Sequence, residues 1–354
     1  MPPSPLYMAT RSITKTSIRR RRTLLLTFDA FETLFYPHPP VPDQYAAIGH
    51  DFGLSRTAVT PDKLKAAFKD VYRVQAKRYP NYGRADVLKG QYGGPKQWWE
   101  EVIRGSFGSV LAAEKNGDSL QTGAGVTGVC DHGDIDLPSG LIETLLNRFA
   151  GDGGYTLYDD VAPFFARMRE LRASPGTTLF DRIVLGVISN SDDRVPEVLK
   201  SLGLRVGDTR ADEDRSSMEL PGFEERDSSQ KCQPQDPSTS YKNNTQPDTD
   251  LDLVITSYEA GEEKPNKLIF DIAKRQARLL ARSDAHTRGS TPAGRDEADD
   301  WTCIHIGDDY QKDYVGATGA GWQSYFLERN GGVECPAGTI RSLMELFTEL
   351  KIGS

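Results

Sequence analysis

The sequence predicts an α/β protein whose core is a doubly wound parallel sheet, interrupted by an inserted helical cap. Three observations carry this. Short, continuously apolar runs alternate with amphipathic helical segments, the pattern of strands buried on both faces. The excursion between the first two runs is helical and not β. Polar residues with chemical potential stand at the carboxyl ends of successive runs, where open α/β sheets collect their reactive groups.

In chain order, the first 22 of the 354 residues carry Arg11, Lys15 and Arg19 to Arg22 and no acid. That composition suits a disordered basic tail or, alternatively, a mitochondrial targeting segment. Residues 23–36 open the core with a strand at 24–28. Residues 37–154 form the cap, with helical spacing of apolar residues at 43–52, 61–79, 96–107 and 139–149. The core resumes over 155–354. Its helices are expected at 159–171, 195–202, 267–280 and 313–320, and its strands at 183–188, 253–256, 302–306 and 323–327. A polar stretch at 112–136 reads as a surface loop. Residues 208–250 and 283–300 read as disordered inserts. The first of these holds eleven acidic and five basic residues and too few large apolar ones to offset the entropy of ordering.

Composition excludes several classes. A net charge of −8 and a pI near 5.3 argue against a nucleic-acid partner, which needs concentrated Lys and Arg. The four cysteines are far apart, with no His at metal-ligand spacing, so neither a disulfide framework nor a zinc site is indicated. This fits a reducing cytoplasmic or nuclear location. No apolar run approaches the length of a membrane span, so no membrane association is expected. A mean hydropathy of −0.52 is somewhat polar for a compact enzyme, and the inserts account for the excess.

The carboxyl ends of the strands give, in order, Asp29, Ser189-Asn190, Lys264-Pro265, and Gly307-Asp308-Asp309 with Asp313 following. Each alone is a common cap or turn. Their joint order points to phosphoryl transfer. A carboxylate nucleophile splits one difficult step into two, but it must approach an anionic phosphate. Two like charges about 4 Å apart repel by roughly 4 kcal/mol at an intermediate dielectric. Mg²⁺ on Asp29, a backbone carbonyl and Asp308 would offset that repulsion, Lys264 would add a point charge, and Ser189 would hold phosphoryl oxygens.

This constellation resembles the four motifs of the haloacid dehalogenase-like hydrolase superfamily, in the strings Phe28-Asp29-Ala30-Phe31-Glu32-Thr33-Leu34, Ile188-Ser189-Asn190, Lys264-Pro265 and Gly307 to Asp313. The resemblance implies a Rossmann-like core with a C1-type cap, and Asp29, Ser189, Asn190 and Lys264 as catalytic positions. It also implies Mg²⁺ held by Asp29, the carbonyl of Phe31, Asp308 and Asp313, and a small phosphorylated substrate. Pro80-Asn81-Tyr82-Gly83 and Gln97-Trp98-Trp99 look like the group of haloacid dehalogenase-like hydrolase domain-containing protein 3. Trp98 and Trp99 are read as cap packing, and the basic stretch 69–78 as a solvated helix face.

One position departs from the family's phosphatases. They carry a second Asp two residues after the nucleophile, as general acid and base, and here that position is Phe31. Losing such a donor costs ~10²–10⁴ in rate. Glu32 substitutes only if the loop turns. An aromatic at this position is similar to the family's 2-haloacid dehalogenases, which need no metal. Yet Asp308 and Asp313 would repel a carboxylate substrate. Three readings follow: a Mg²⁺-dependent phosphohydrolase acting on substrates with good leaving groups such as acyl phosphates, a metal-independent dehalogenase, and a weakly active binding or regulatory protein.

Overall fold

The computed structural model describes residues 21–115, 136–174, 176, 178–211, 249–287, 300–329 and 338–352. Within it the first apolar run is β1 (Arg22–Phe28), buried at every residue after Arg22. After a tight loop come β2 (Phe35–Pro37) and the helices of the insertion: α1 (Val41–Asp51), α2 (Pro61–Arg78), the short α3 (Arg84–Val87), α4 (Pro95–Lys115) and α5 (Leu141–Arg148). β3 (Tyr155–Leu157) returns antiparallel to β2. The core then runs through α6 (Val161–Ala173), β4 (Arg182–Ser189), α7 (Val195–Ser201), β5 (Val206–Thr209), β6 (Leu251–Thr256), α8 (Ser257–Ala260) and α9 (Lys267–Thr287). It ends with β7 (Asp300–Gly307), a π-helical turn (Tyr310–Val315), α10 (Gly316–Gly319), β8 (Gln323–Leu327), β9 (Thr339–Ile340) and α11 (Leu346–Glu349).

Seven strands form one sheet in the order β5-β6-β4-β1-β7-β8-β9, all neighbours parallel. β1 therefore lies in the middle, between β4 and β7. Alternation along it sorts side chains to two faces. Leu24, Leu26 and Phe28 pack with Phe164, Phe165, Val198 and Phe347 from α6, α7 and α11, while Leu25 packs with Ile269, Phe270 and Ala273 of α9. This is the doubly wound α/β arrangement predicted. The insertion has its own apolar centre of Tyr45, Phe107, Leu141 and Leu145, and a smaller one around Trp98.

Several bounds differ from expectation. β2 and β3 are three residues each, too short to leave a periodic signal. β5 (Val-Gly-Asp-Thr) begins the stretch expected to be unpacked, and Asp250 at its far end is buried because Arg169 and the backbone N–H of Arg205 pair with its carboxylate. α9 continues to Thr287, five residues into the second expected insert. The segment near Asp313 opens as a π-helical turn and not as an α-helix. The basic segment 1–20 and residues 116–135, 212–248 and 288–299 lie outside the described residues. No helix among the described residues is long and apolar enough to cross a membrane.

Candidate active site

Asp29, Phe31, Ser189, Asn190, Lys264, Asp308 and Asp313 all line one cavity of about 740 Å³ between the sheet's carboxyl edge and the helical insertion. β1, β4 and β7 are hydrogen-bonded in register, so their last residues arrive together. Asp29 extends that ladder, its N–H donating to Ile306 O at 2.8 Å.

Lys264 is the centre of the site. Its buried ammonium donates to Asp29 Oδ1 at 2.6 Å, Asp313 Oδ1 at 2.6 Å and the carbonyl of Ile188 at 2.7 Å. The three donors of an ammonium are thereby engaged. Asn190 clamps the lysine's backbone, with Nδ2 donating to Lys264 O at 2.8 Å and Oδ1 accepting from Lys264 N at 2.7 Å. Its amide thus positions Lys264. Ser189 lies buried at the end of β4 beside the same cavity.

The carboxylates do not share this cation evenly. Burial pushes the Asp29 carboxyl up to about 6; Lys264 works against that shift and Asp313 adds to it. Burial, then the charges of Asp29 and Asp313, push Asp308 up to about 7, although Thr33 donates to Asp308 Oδ1 at 3.1 Å. For Asp313, burial also raises the carboxyl, but Lys264 and His305 outweigh it and hold it below its usual range. The three groups offer oxygens within 4.8 Å of one another. Asp29 and Asp313 are buried against the Lys264 ammonium and Asp308 is half-buried beside them, and hard oxygen donors at this spacing suit Mg²⁺. The residues present therefore fit the metal.

Sequence reasoning missed the supporting residues. His305, fully buried on β7, lies 3.2 Å from Asp313 Oδ1 through Nε2 and 2.9 Å from Thr27 Oγ1 through Nδ1. Burial lowers its pKa, and the Asp313 carboxylate, an acceptor only, takes the Nε2–H while Nδ1 faces the Thr27 hydroxyl. Gly307 is required by contact, since a Cβ there would fall 2.2 Å from Asp313 Cγ. A second polar cluster joins insertion to core. Arg194 pairs with buried Asp192 at 2.7 Å, Trp99 Nε1 donates to the same carboxylate at 2.8 Å, and the guanidinium lies over the Trp99 ring. Trp98 is the packing residue expected; Trp99 packs against the same cluster and also lines the cavity.

Phe31 projects into the cavity, 41 % exposed, edge-on to Phe35 and Tyr155. The loop does turn at Glu32, whose φ is +59°, but Tyr158 OH donates to that carboxylate at 3.1 Å. The usual acid position is thus occupied by a ring.

A parallel α/β sheet with a helical insertion after its first strand, Asp29, Ser189 and Asp308 at three strand ends and Lys264 in the loop beyond α8 is the arrangement that the haloacid dehalogenase-like resemblance implies. The chain has relatives named for that superfamily. It is similar to haloacid dehalogenase-like hydrolase domain-containing protein 3 of Danio rerio, 22 % identical over 92 % of this chain and 95 % of the relative. An uncharacterized protein of Saccharomyces cerevisiae is 26 % identical over 88 % of this chain and 74 % of its own length. Among solved structures, a 2-haloacid dehalogenase from Pseudomonas syringae aligns with 93 % of this chain and 98 % of its own, with 14 % identity and a TM-score of 0.44. No protein-family profile matches the chain.

Proposed function

We propose that the chain is a Mg²⁺-dependent phosphohydrolase acting through an aspartyl-phosphate on Asp29. One observation carries this reading: a buried ammonium 2.6 Å from both Asp29 and Asp313, with the Asp308 carboxylate beside them. Asp29, Asp308 and Asp313 would hold the metal, and the family resemblance adds the backbone carbonyl of Phe31. When bound, the ion supplies the positive charge that lets a carboxylate meet an anionic phosphate.

The remaining work belongs to the chain. Lys264 favours the ionised form of Asp29 and holds its carboxylate toward the cavity. Asp29 attacks phosphorus as the bond to the leaving oxygen breaks, and Ser189 with neighbouring backbone N–H groups holds the phosphoryl oxygens. Water then hydrolyses the acyl phosphate and restores Asp29. With a phenyl ring where the acid would stand, substrates with good leaving groups are favoured, acyl phosphates among them. Phosphate release from a panel of such compounds, with Mg²⁺ and with chelator, tests the reading. Asp29→Asn is expected to lose the activity by on the order of 10⁴-fold or more, as for other covalent nucleophiles. Equal release by the two proteins would sink it.

Phe31 favours a second reading, a metal-independent 2-haloacid dehalogenase in which Asp29 displaces halide from carbon. Asp308 and Asp313 oppose it, since both repel a carboxylate substrate. Halide release from 2-chloropropionate in the presence of chelator separates the two.

A further inference from the structure

The cavity over Asp29 has a charged floor and aromatic walls. Phe31, Tyr45, Tyr72, Tyr82, Trp99 and Tyr155 face the same space as the carboxylates and Lys264. Two of these rings are unusually open: Phe31 is 41 % and Tyr72 39 % exposed. Phe31 meets Tyr155 edge-on, with centroids 5.9 Å apart and planes at 86°, so the exposed Phe31 ring and Tyr155 form an aromatic corner of the cavity. A volume of about 740 Å³ is far more than a phosphate needs and lies in the range of pockets that enclose whole ligands. Rings arranged this way pair with another ring by offset or edge contacts.

A second observation, of chemistry and not of shape, points the same way. The residue that lines this corner also stands where the proton donor would be, so a leaving oxygen departs unprotonated. A phenol, with a pKa of about 10, tolerates this far better than an alkyl alcohol, whose pKa is close to the 15.7 of water.

We infer that the substrate is a small phosphate monoester of a phenolic hydroxyl, its ring seated against Phe31 and Tyr155 with the phosphoryl group over Asp29. The inference rests on the phosphohydrolase reading above. An Asp29 oxygen forms a bond to phosphorus as the aryl O–P bond breaks, and the aryloxide keeps the bonding pair and takes a proton from water. A second water attacks phosphorus, releases inorganic phosphate with a proton to solvent, and returns the Asp29 carboxylate.

The test is phosphate release by the full chain with Mg²⁺ from phenyl, 1-naphthyl and benzyl phosphate, glycerol 3-phosphate, acetyl phosphate and a phosphotyrosyl peptide. The two aryl esters are expected to exceed glycerol 3-phosphate at least about 100-fold in kcat/KM. Benzyl phosphate, which offers a ring but an alkyl oxygen, should share their KM and fall about 100-fold in kcat. Phe31→Asp should then raise kcat for benzyl phosphate by ~10²–10⁴, the worth of a positioned acid. Phe31→Leu, which keeps bulk without a ring, should raise KM for 1-naphthyl phosphate several-fold. Turnover of acetyl phosphate with none of the aryl esters overturns the substrate class and leaves the phosphohydrolase reading standing. Glycerol 3-phosphate or the peptide outrunning the small aryl esters overturns it likewise. No metal-dependent release from any compound overturns both.

Discussion

At the residue scale, Lys264 shows how one buried charge organises a site. It is enclosed by two carboxylates and a carbonyl, so its removal leaves Asp29 and Asp313 facing each other without a cation. Lys264→Ala is expected to cost about 3–5 kcal/mol of stability, the usual penalty for breaking a buried pair, measured as a shift in urea midpoint at pH 7. Replacing His305 probes the layer behind. His305→Gln should weaken Mg²⁺ binding about 10–100-fold by calorimetric titration while the sheet stays folded, as for other groups that orient a ligand. Asp29, Ser189 and Asp308 were legible in the sequence because each directly follows or closes an apolar run, and Lys264 because Lys264-Pro265 stands in order between the second and fourth motif strings. His305 was not, because it sits inside such a run and reads as a core residue. Its value lies in a hydrogen bond to a side chain eight positions on, across a turn whose shape the sequence does not disclose.

Elements were legible in proportion to length and burial. β1, β4, β6 and β7 are buried on both faces and announce themselves as apolar runs. β5 and β9, at the two sheet edges, are short, and β5 is polar at Asp208 and Thr209; only pairing with a neighbour makes them strands. The turn after β7 is decided by close approach. Gly307→Ala would press a methyl group into Asp313, which carries one of Lys264's hydrogen bonds. Phosphate release should fall at least tenfold with the far-ultraviolet dichroism intact; unchanged turnover would show that the approach is relaxed without cost. Leu25→Ala, in the middle of β1, should by contrast destabilise by about 2–5 kcal/mol in denaturant titration.

At the scale of the whole molecule, insertion and core meet at Asp192. Burial alone would raise its carboxyl, but the charge and hydrogen bonds of Arg194, with the indole N–H of Trp99, hold it below the usual range. A carboxyl depressed in the folded state contributes stability above its unfolded value near 3.9, and that contribution is lost as pH falls through the lower folded value. Urea midpoints followed by tryptophan fluorescence should therefore decline more steeply below about pH 4 in the wild type than in Asp192→Asn. The variant should be the less stable at pH 6, and the gap should narrow with acid. Parallel slopes would mean that this contact does not couple the two parts. Such contacts were beyond the sequence, since Trp99 and Asp192 are 93 positions apart and the string Gln97-Trp98-Trp99 names no partner for its last indole.

The β2–β3 ribbon carries one further consequence. Phe35 pairs with Leu157 and Pro37 with Tyr155, so the chain leaves and re-enters the core through neighbouring strands, about 5 Å apart. The intervening residues are thus a cassette whose two ends already lie side by side. Replacing residues 38–154 by a two-residue turn should leave a shortened protein that still unfolds cooperatively in urea, and it makes this ribbon the natural splice point for exchanging one substrate-facing module for another.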